Sequence, residues 1–113
     1  MDDSIPIVRE YKANLNALEL AASVGFGDLE GYIAARILTT ALDTMKGPPT
    51  RETLADSLEG LVRFDLGLGE PLRLSPQQHQ ACHRIWPTIL KDSAFAPLQW
   101  PAIADLVKKG ALP

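Results

Sequence analysis

Val8, Tyr11, Leu15, Leu18 and Ala22 recur at helical spacing and define one apolar stripe. Arg9, Glu10, Lys12, Asn14, Asn16 and Glu19 fall on the opposite side. This pattern predicts a first helix opening at Ser4, with Pro6 in its first turn and Asp2 and Asp3 at its positive end. The helix should close near Ser23, before the break at Gly25-Phe26-Gly27. A second helix is predicted from Asp28 as N-cap to about Lys46. Leu29, Gly31, Tyr32, Ile33, Ala34, Ala35, Ile37 and Leu38 make it apolar or small on nearly every side. Its polar residues fall on a narrow line of Arg36, Thr40 and Asp43, with Thr39 and Thr44 alongside. Gly47 and Pro48-Pro49 stop it, and Thr50 caps a third helix with Leu54, Leu58 and Leu61 inward. Arg51, Glu52, Asp56 and Glu59 face outward there.

The pattern changes at Phe64. FDLGLGEPLRLSPQQHQ carries turn signals at Gly67 and Gly69, at Pro71, and at Ser75-Pro76. LRL (72–74) between them reads as a short strand. HRIWPTIL (83–90) reads as a second, which Pro87 restricts to an edge or a bulge. Lys91-Asp92-Ser93 then turns the chain into a third, AFAPL (94–98). A last helix opens at Trp100-Pro101, has Ile103, Leu106 and Val107 on its apolar side, carries Lys108 and Lys109 at its negative end and stops at Gly110. The predicted fold is α+β: three helices, a short antiparallel strand meander and a C-terminal helix. As one segment over 1–113, the helical part covers 4–62, the meander 64–98 and the last helix 100–110. Without βαβ alternation the chain builds no parallel sheet by itself. A surface helix shows one apolar stripe and one polar face, so the second helix demands more cover than these elements offer.

The 113 residues make one modest core, and 46% hydrophobic against 22% charged residues is the balance of a globular chain rather than a disordered one. A formal net charge of −3 argues against nucleic acid or an anionic membrane as partner, since both need concentrated Lys and Arg. No apolar run is long enough to span a bilayer, and MDDSIPIVREYK lacks the basic and apolar regions of a secretory signal. Cys82, the single cysteine, makes no internal disulfide and leaves the redox compartment open.

Candidate chemistry is sparse. His79 and His83 would share one face of a helix, with Cys82 as a third soft metal ligand. Ser75-Pro76 and the strand-like HRIWPTIL argue instead for an extended backbone that separates them, so loop and strand-edge roles outweigh a metal site. Gly67-Leu68-Gly69 has no following Lys and no preceding βα unit, which makes it a turn rather than a phosphate cradle. Glu52, Asp56 and Glu59 read as a solvated face beside Arg51, and no spacing assembles a Ser/His/Asp triad. Trp86 and Trp100 suit either cover for the core or a partner surface. These residues point to no enzyme and no cofactor.

Several stretches, taken together, resemble a known family. Glu10-Tyr11, GFGDLEGYIAARIL (25–38), PTRETLADSLEGL (49–61), FDLG (64–67), PLRLSPQQHQ (71–80) and HRIWPTIL occur in an order and at separations similar to the C-terminal part of the Leu/Ile/Val-type periplasmic substrate-binding proteins of ABC transporters. The resemblance covers about residues 6–98; WPAIADLVKKGALP matches less well. It implies a fragment of a two-lobe α/β fold in which ligand is gripped between lobes joined by a hinge of crossing strands. A sheet on one side and helices on others would then cover the second helix. This chain departs from the family pattern in GFGD, in Ala81 after His79-Gln80, and in Pro87.

The resemblance implies a non-catalytic part in capturing a branched-chain or related amino acid, or a small organic acid, for a transporter permease. Family members are about three times longer. Most ligand contacts come from parts upstream of those matched, so the expectation is weak or absent ligand binding by this chain alone. It would be a truncated family member, an excised domain or a shortened gene product. Phe26 and Asp28 are the residues the resemblance places beside the ligand; alternatively Phe26 packs in the core and Asp28 caps the helix. The location implied is periplasmic, or cytoplasmic if the chain is a whole gene product. A reading of another class is a self-associating interaction module, a homo-oligomer pairing through the face that holds Ile37 and Leu38.

Overall fold

The computed structural model describes residues 1–20 and 24–110. Among them the order is α1 (Pro6–Ala17), α2 (Phe26–Thr44), α3 (Arg51–Glu59), β1 (Thr88–Lys91), β2 (Ala94–Pro97) and α4 (Trp100–Lys108). This is an α+β arrangement of four helices and a two-stranded antiparallel sheet. The chain divides into two compact units. One is Asp3–His83; the other is Met1–Asp2 with Arg84–Pro113.

In the larger unit, α1 starts after Ile5 rather than Ser4, without a side-chain cap, and Pro6 takes its first position. It ends at Ala17, short of the expected Ser23. Leu20 N–H reaches Leu15 C=O at 2.8 Å and Glu19 N–H reaches Asn16 C=O at 3.1 Å, closing a Schellman motif. Glu19 holds the left-handed position of that motif, φ 59°. Glycine or asparagine usually marks such a stop, and a glutamate there gives no sequence signal. Leu18 therefore lies outside the buried stripe at 67% exposed, while Ile7, Val8 and Tyr11 are buried. Ala22 and Ser23 lie outside the described residues.

The second helix begins at Phe26 with Gly25 as N-cap, not at Asp28. Gly25 C=O accepts the Leu29 N–H at 3.0 Å, so Asp28 falls inside the first turn. There its charge complements the helix dipole instead of capping a backbone donor. The last helical residue is Thr44, and Gly47 turns the chain away at φ 93°. Thr50 caps α3 as expected, with Thr53 completing a reciprocal capping box: Thr53 N–H to Thr50 Oγ1 at 3.2 Å and Thr50 N–H to Thr53 Oγ1 at 2.9 Å. Ala41, Leu61 and Leu74 form a buried cluster joined by Ile37, Leu54, Leu58, Phe64 and Ala81. The Ser57 hydroxyl donates to Ala41 C=O at 2.6 Å and fixes α3 against α2.

Residues 64–83 contain no ladder. The expected LRL strand is replaced by isolated bridges, Phe64 with Leu72 and Ser75 with Gln78. Leu74 N–H donates to Leu61 C=O, and Arg73 N–H to Ala81 C=O. Successive residues thus bond to different segments, which meets each donor without building a sheet. Asp65 Oδ1 accepts the Gly67 N–H, and Gly67 C=O accepts the Ile7 N–H at 3.2 Å, docking this loop on the start of α1.

In the smaller unit, β1 and β2 pair with Ile89 opposite Ala96 and Leu90 opposite Phe95. Asp92 and Ser93 both have positive φ, 51° and 61°, in a two-residue turn of the kind that matches strand twist. The three-strand meander is thus a two-strand hairpin. Residues 83–87 form no strand; Pro87 lacks an N–H, and its carbonyl takes one further bond from Leu98 N–H. Arg84 lies over the Trp86 ring, 5.6 Å from its centroid.

Candidate functional site

Polar side chains converge where α1 meets α2. The Tyr32 hydroxyl donates to Glu10 Oε1 at 2.6 Å and accepts from Asn14 Nδ2 at 2.7 Å. Arg36 pairs with the same Glu10 oxygen. The rings of Tyr11 and Tyr32 pack tilted with centroids 5.5 Å apart, and the Tyr11 hydroxyl accepts the Gly25 N–H. Burial raises the Tyr32 pKa, and the hydrogen bond and charge of Glu10 raise it further; Asn14 and Arg36 act the other way. Glu10 and Arg36 were legible only as outer-face polar residues and Tyr32 only as an apolar one. Each of their contacts spans 18 or more residues of chain, beyond the reach of helical spacing.

Phe26 and Asp28 occupy the first turn of α2. Phe26 is 44% exposed, so it is not a core residue, and Asp28 is exposed as well. Ile37 and Leu38 separate: Ile37 packs on the Ala41 cluster, whereas Leu38 is 42% exposed. An open groove of about 390 Å³ runs between α2, α3 and the 74–81 segment, with Ile37, Leu58, Leu74 and Ala81 in its lining. Glu59 and His79 also line it, paired at 3.2 Å.

His79, Cys82 and His83 diverge. His79 Nε2 faces Glu59, Cys82 Sγ donates to Glu70 Oε1 at 3.3 Å, and His83 Nε2 meets Gln78 Nε2 at 2.6 Å. Among the described residues no group of three or more His, Cys, Asp or Glu is placed to hold a metal ion. Each of the three is engaged by a different partner, so they do not form one coordination sphere. None of the described helices is long and apolar enough to cross a membrane.

No family model and no curated protein matches the chain. Among solved structures it is similar to a possible leucine/isoleucine/valine-binding protein from Rhodopirellula baltica SH 1, with a TM-score of 0.82 and 39% identity over 88% of this chain. The match takes in 27% of that protein, so the present chain spans about a quarter of its length. Fold and sequence thus correspond to a segment of this protein type.

Proposed function

We propose that this chain, whose fold and sequence correspond to a segment of a leucine/isoleucine/valine-binding protein, serves as part of a solute-binding protein for branched-chain or related amino acids. The observation that carries this reading is the joint likeness of backbone and sequence, TM-score 0.82 at 39% identity. The role is non-catalytic. Ligand is captured by closure of a two-lobe protein and delivered to the permease of an ABC transporter in the periplasm, with the free energy of closure drawn from tighter binding in the closed state. Phe26 and Asp28, exposed at the start of α2, are the residues of this segment nearest that ligand. Most ligand contacts lie in the other lobe and the hinge, so the segment alone binds amino acids weakly or not at all. Calorimetry of the chain with leucine, isoleucine and valine tests this. The reading expects no saturable heat with a Kd below about 1 mM, and a micromolar isotherm contradicts weak binding by the segment alone.

A second reading is self-association. It is favoured by one observation: α2 carries Leu38 and Leu42 one turn apart at 42% and 43% exposure. Large side chains exposed together along a helix are a common seat of protein contacts.

A further inference from the structure

The hairpin of the smaller unit has two unlike edges. Ile89 stands opposite Ala96 and Lys91 opposite Ala94, and beyond β1 the Leu98 N–H donates to Pro87 C=O at 2.9 Å. In an antiparallel ladder, opposed residues alternate between pairs that exchange hydrogen bonds and pairs that do not. The Leu98–Pro87 bond fixes the phase. Pro87, Ile89 and Lys91 turn their main-chain groups toward β2, and Thr88 and Leu90 turn theirs away. Within the smaller unit no described group bonds to the main chain of Thr88 or Leu90. Each residue thus offers one donor and one acceptor along the outer side of β1.

The two prolines fall on opposite sides of this phase. Pro87 faces β2, so its missing N–H costs a bond inside the hairpin and leaves the outer row of β1 whole. Pro97, opposite Thr88, faces outward from β2, where it has no N–H to offer. A proline so placed marks the edge of a sheet, because a further strand would meet a gap in the ladder there. The outer row of β1 has no such gap. All four residues of β1 are exposed, Ile89 and Leu90 among them. A two-stranded hairpin with nothing beside it is marginal in water. The chain spans about a quarter of the similar binding protein, which leaves ample chain to supply a neighbouring strand.

We propose that β1 is an interior strand of a larger sheet: a strand from elsewhere in the whole solute-binding protein pairs with its outer edge through Thr88 and Leu90, and β2 remains the sheet's edge. The occupant is an extended segment, held by the main-chain N–H and C=O groups of both residues. This inference rests on the reading of the chain as a segment of such a protein and specifies where the segment joins the rest.

Amide hydrogen exchange tests it, on this chain alone and on a chimera in which the chain replaces the matching segment of the Rhodopirellula baltica protein. In the chain alone, the Thr88 and Leu90 amides are expected to exchange as an open edge does, faster than those of Ile89 and Lys91. In the chimera both are expected to slow by about a hundredfold or more. Leu90→Pro removes an outward donor and no bond of the hairpin, and Leu90→Ala controls for the lost side chain. The two variants are expected to unfold at one urea midpoint in the chain alone, and Leu90→Pro at the lower midpoint in the chimera. Thr88 and Leu90 amides that are already protected in the chain alone, or equally open in the chimera, would overturn the proposal, as would equal midpoints for the two chimeric variants. A chimera that protects both amides yet binds no amino acid would contradict the proposed function and uphold this pairing. One that binds ligand and leaves them open would overturn the pairing alone, and one that does not fold would overturn both.

Discussion

The Tyr32 hydroxyl lies 2.6 Å from Glu10 Oε1 and ties α2 to α1 across 22 residues of sequence. The same Glu10 oxygen takes Arg36, so one carboxylate holds two successive turns of α2. Glu10 and Arg36 are both well exposed, and water screens their ion pair. The phenol–carboxylate bond, with Tyr32 half-buried, is the stronger part of the link. Tyr32→Phe keeps the ring packing on Tyr11 and removes only the hydroxyl. The expected loss is about 1 kcal/mol, read from urea unfolding midpoints. An unchanged midpoint would show that the Tyr32 hydroxyl contributes nothing net.

Alkaline stability should depend on the same hydroxyl. Burial, reinforced by Glu10, raises the folded-state pKa of Tyr32 above the ordinary value of about 10. The unfolded chain then releases that proton first as pH rises. The contribution is complete below about pH 10 and is lost as pH climbs through the folded pKa. Thermal unfolding from pH 8 to 11 is expected to show a steeper decline for the wild type than for Tyr32→Phe. Parallel profiles would refute the assignment.

Glu19 occupies a left-handed backbone position, φ 59°, with its side chain exposed. Glycine takes that conformation without a Cβ penalty. Glu19→Gly is expected to stabilise the chain by about 0.5–1 kcal/mol, against the usual direction for a new glycine. A fall in melting temperature would mean that α1 does not stop there in solution.

Gly67 and Gly47 share positive φ but differ in surroundings. At Gly67, φ 76°, a Cβ would approach Pro6 Cβ to 2.9 Å and Ile7 N to 3.2 Å, at the point where Gly67 C=O accepts the Ile7 N–H. At Gly47, φ 93°, a Cβ would meet nothing within 4 Å. Gly47→Ala should therefore cost only backbone strain, about 1 kcal/mol, and Gly67→Ala about 2–3 kcal/mol, because the loop must also leave α1. Chemical denaturation of both variants gives the comparison, and equal costs would contradict the docking of loop 64–69.

Much of the fold was legible from local signals. Thr50 after Pro48-Pro49 marked the start of α3, and Lys91-Asp92-Ser93 before an apolar run marked the turn of the hairpin. The end of α1 was missed because Glu19 is an atypical left-handed stop, and the start of α2 because Asp28 is a stronger capping candidate than Gly25, which has no side chain to cap with. LRL has strand composition, but its donors and acceptors are taken by Leu61, Phe64 and Ala81 rather than by one neighbouring strand. The α1–α2 polar cluster was invisible for a related reason: Glu10, Tyr32 and Arg36 meet only through the packing of two helices distant in sequence. At the candidate site, the divergence of His79, Cys82 and His83 follows from the irregular backbone after Ser75-Pro76.

The account rests on the chain serving as a segment of an amino-acid-binding protein. The most direct measurement replaces the matching segment of the Rhodopirellula baltica protein with this chain and titrates the purified chimera, beside the intact parent, with leucine, isoleucine and valine by calorimetry. The account predicts a folded chimera that binds the parent's ligand with an affinity within about tenfold of the parent's. A chimera that folds with the parent's circular dichroism, yet takes up no amino acid that the parent binds, would contradict it.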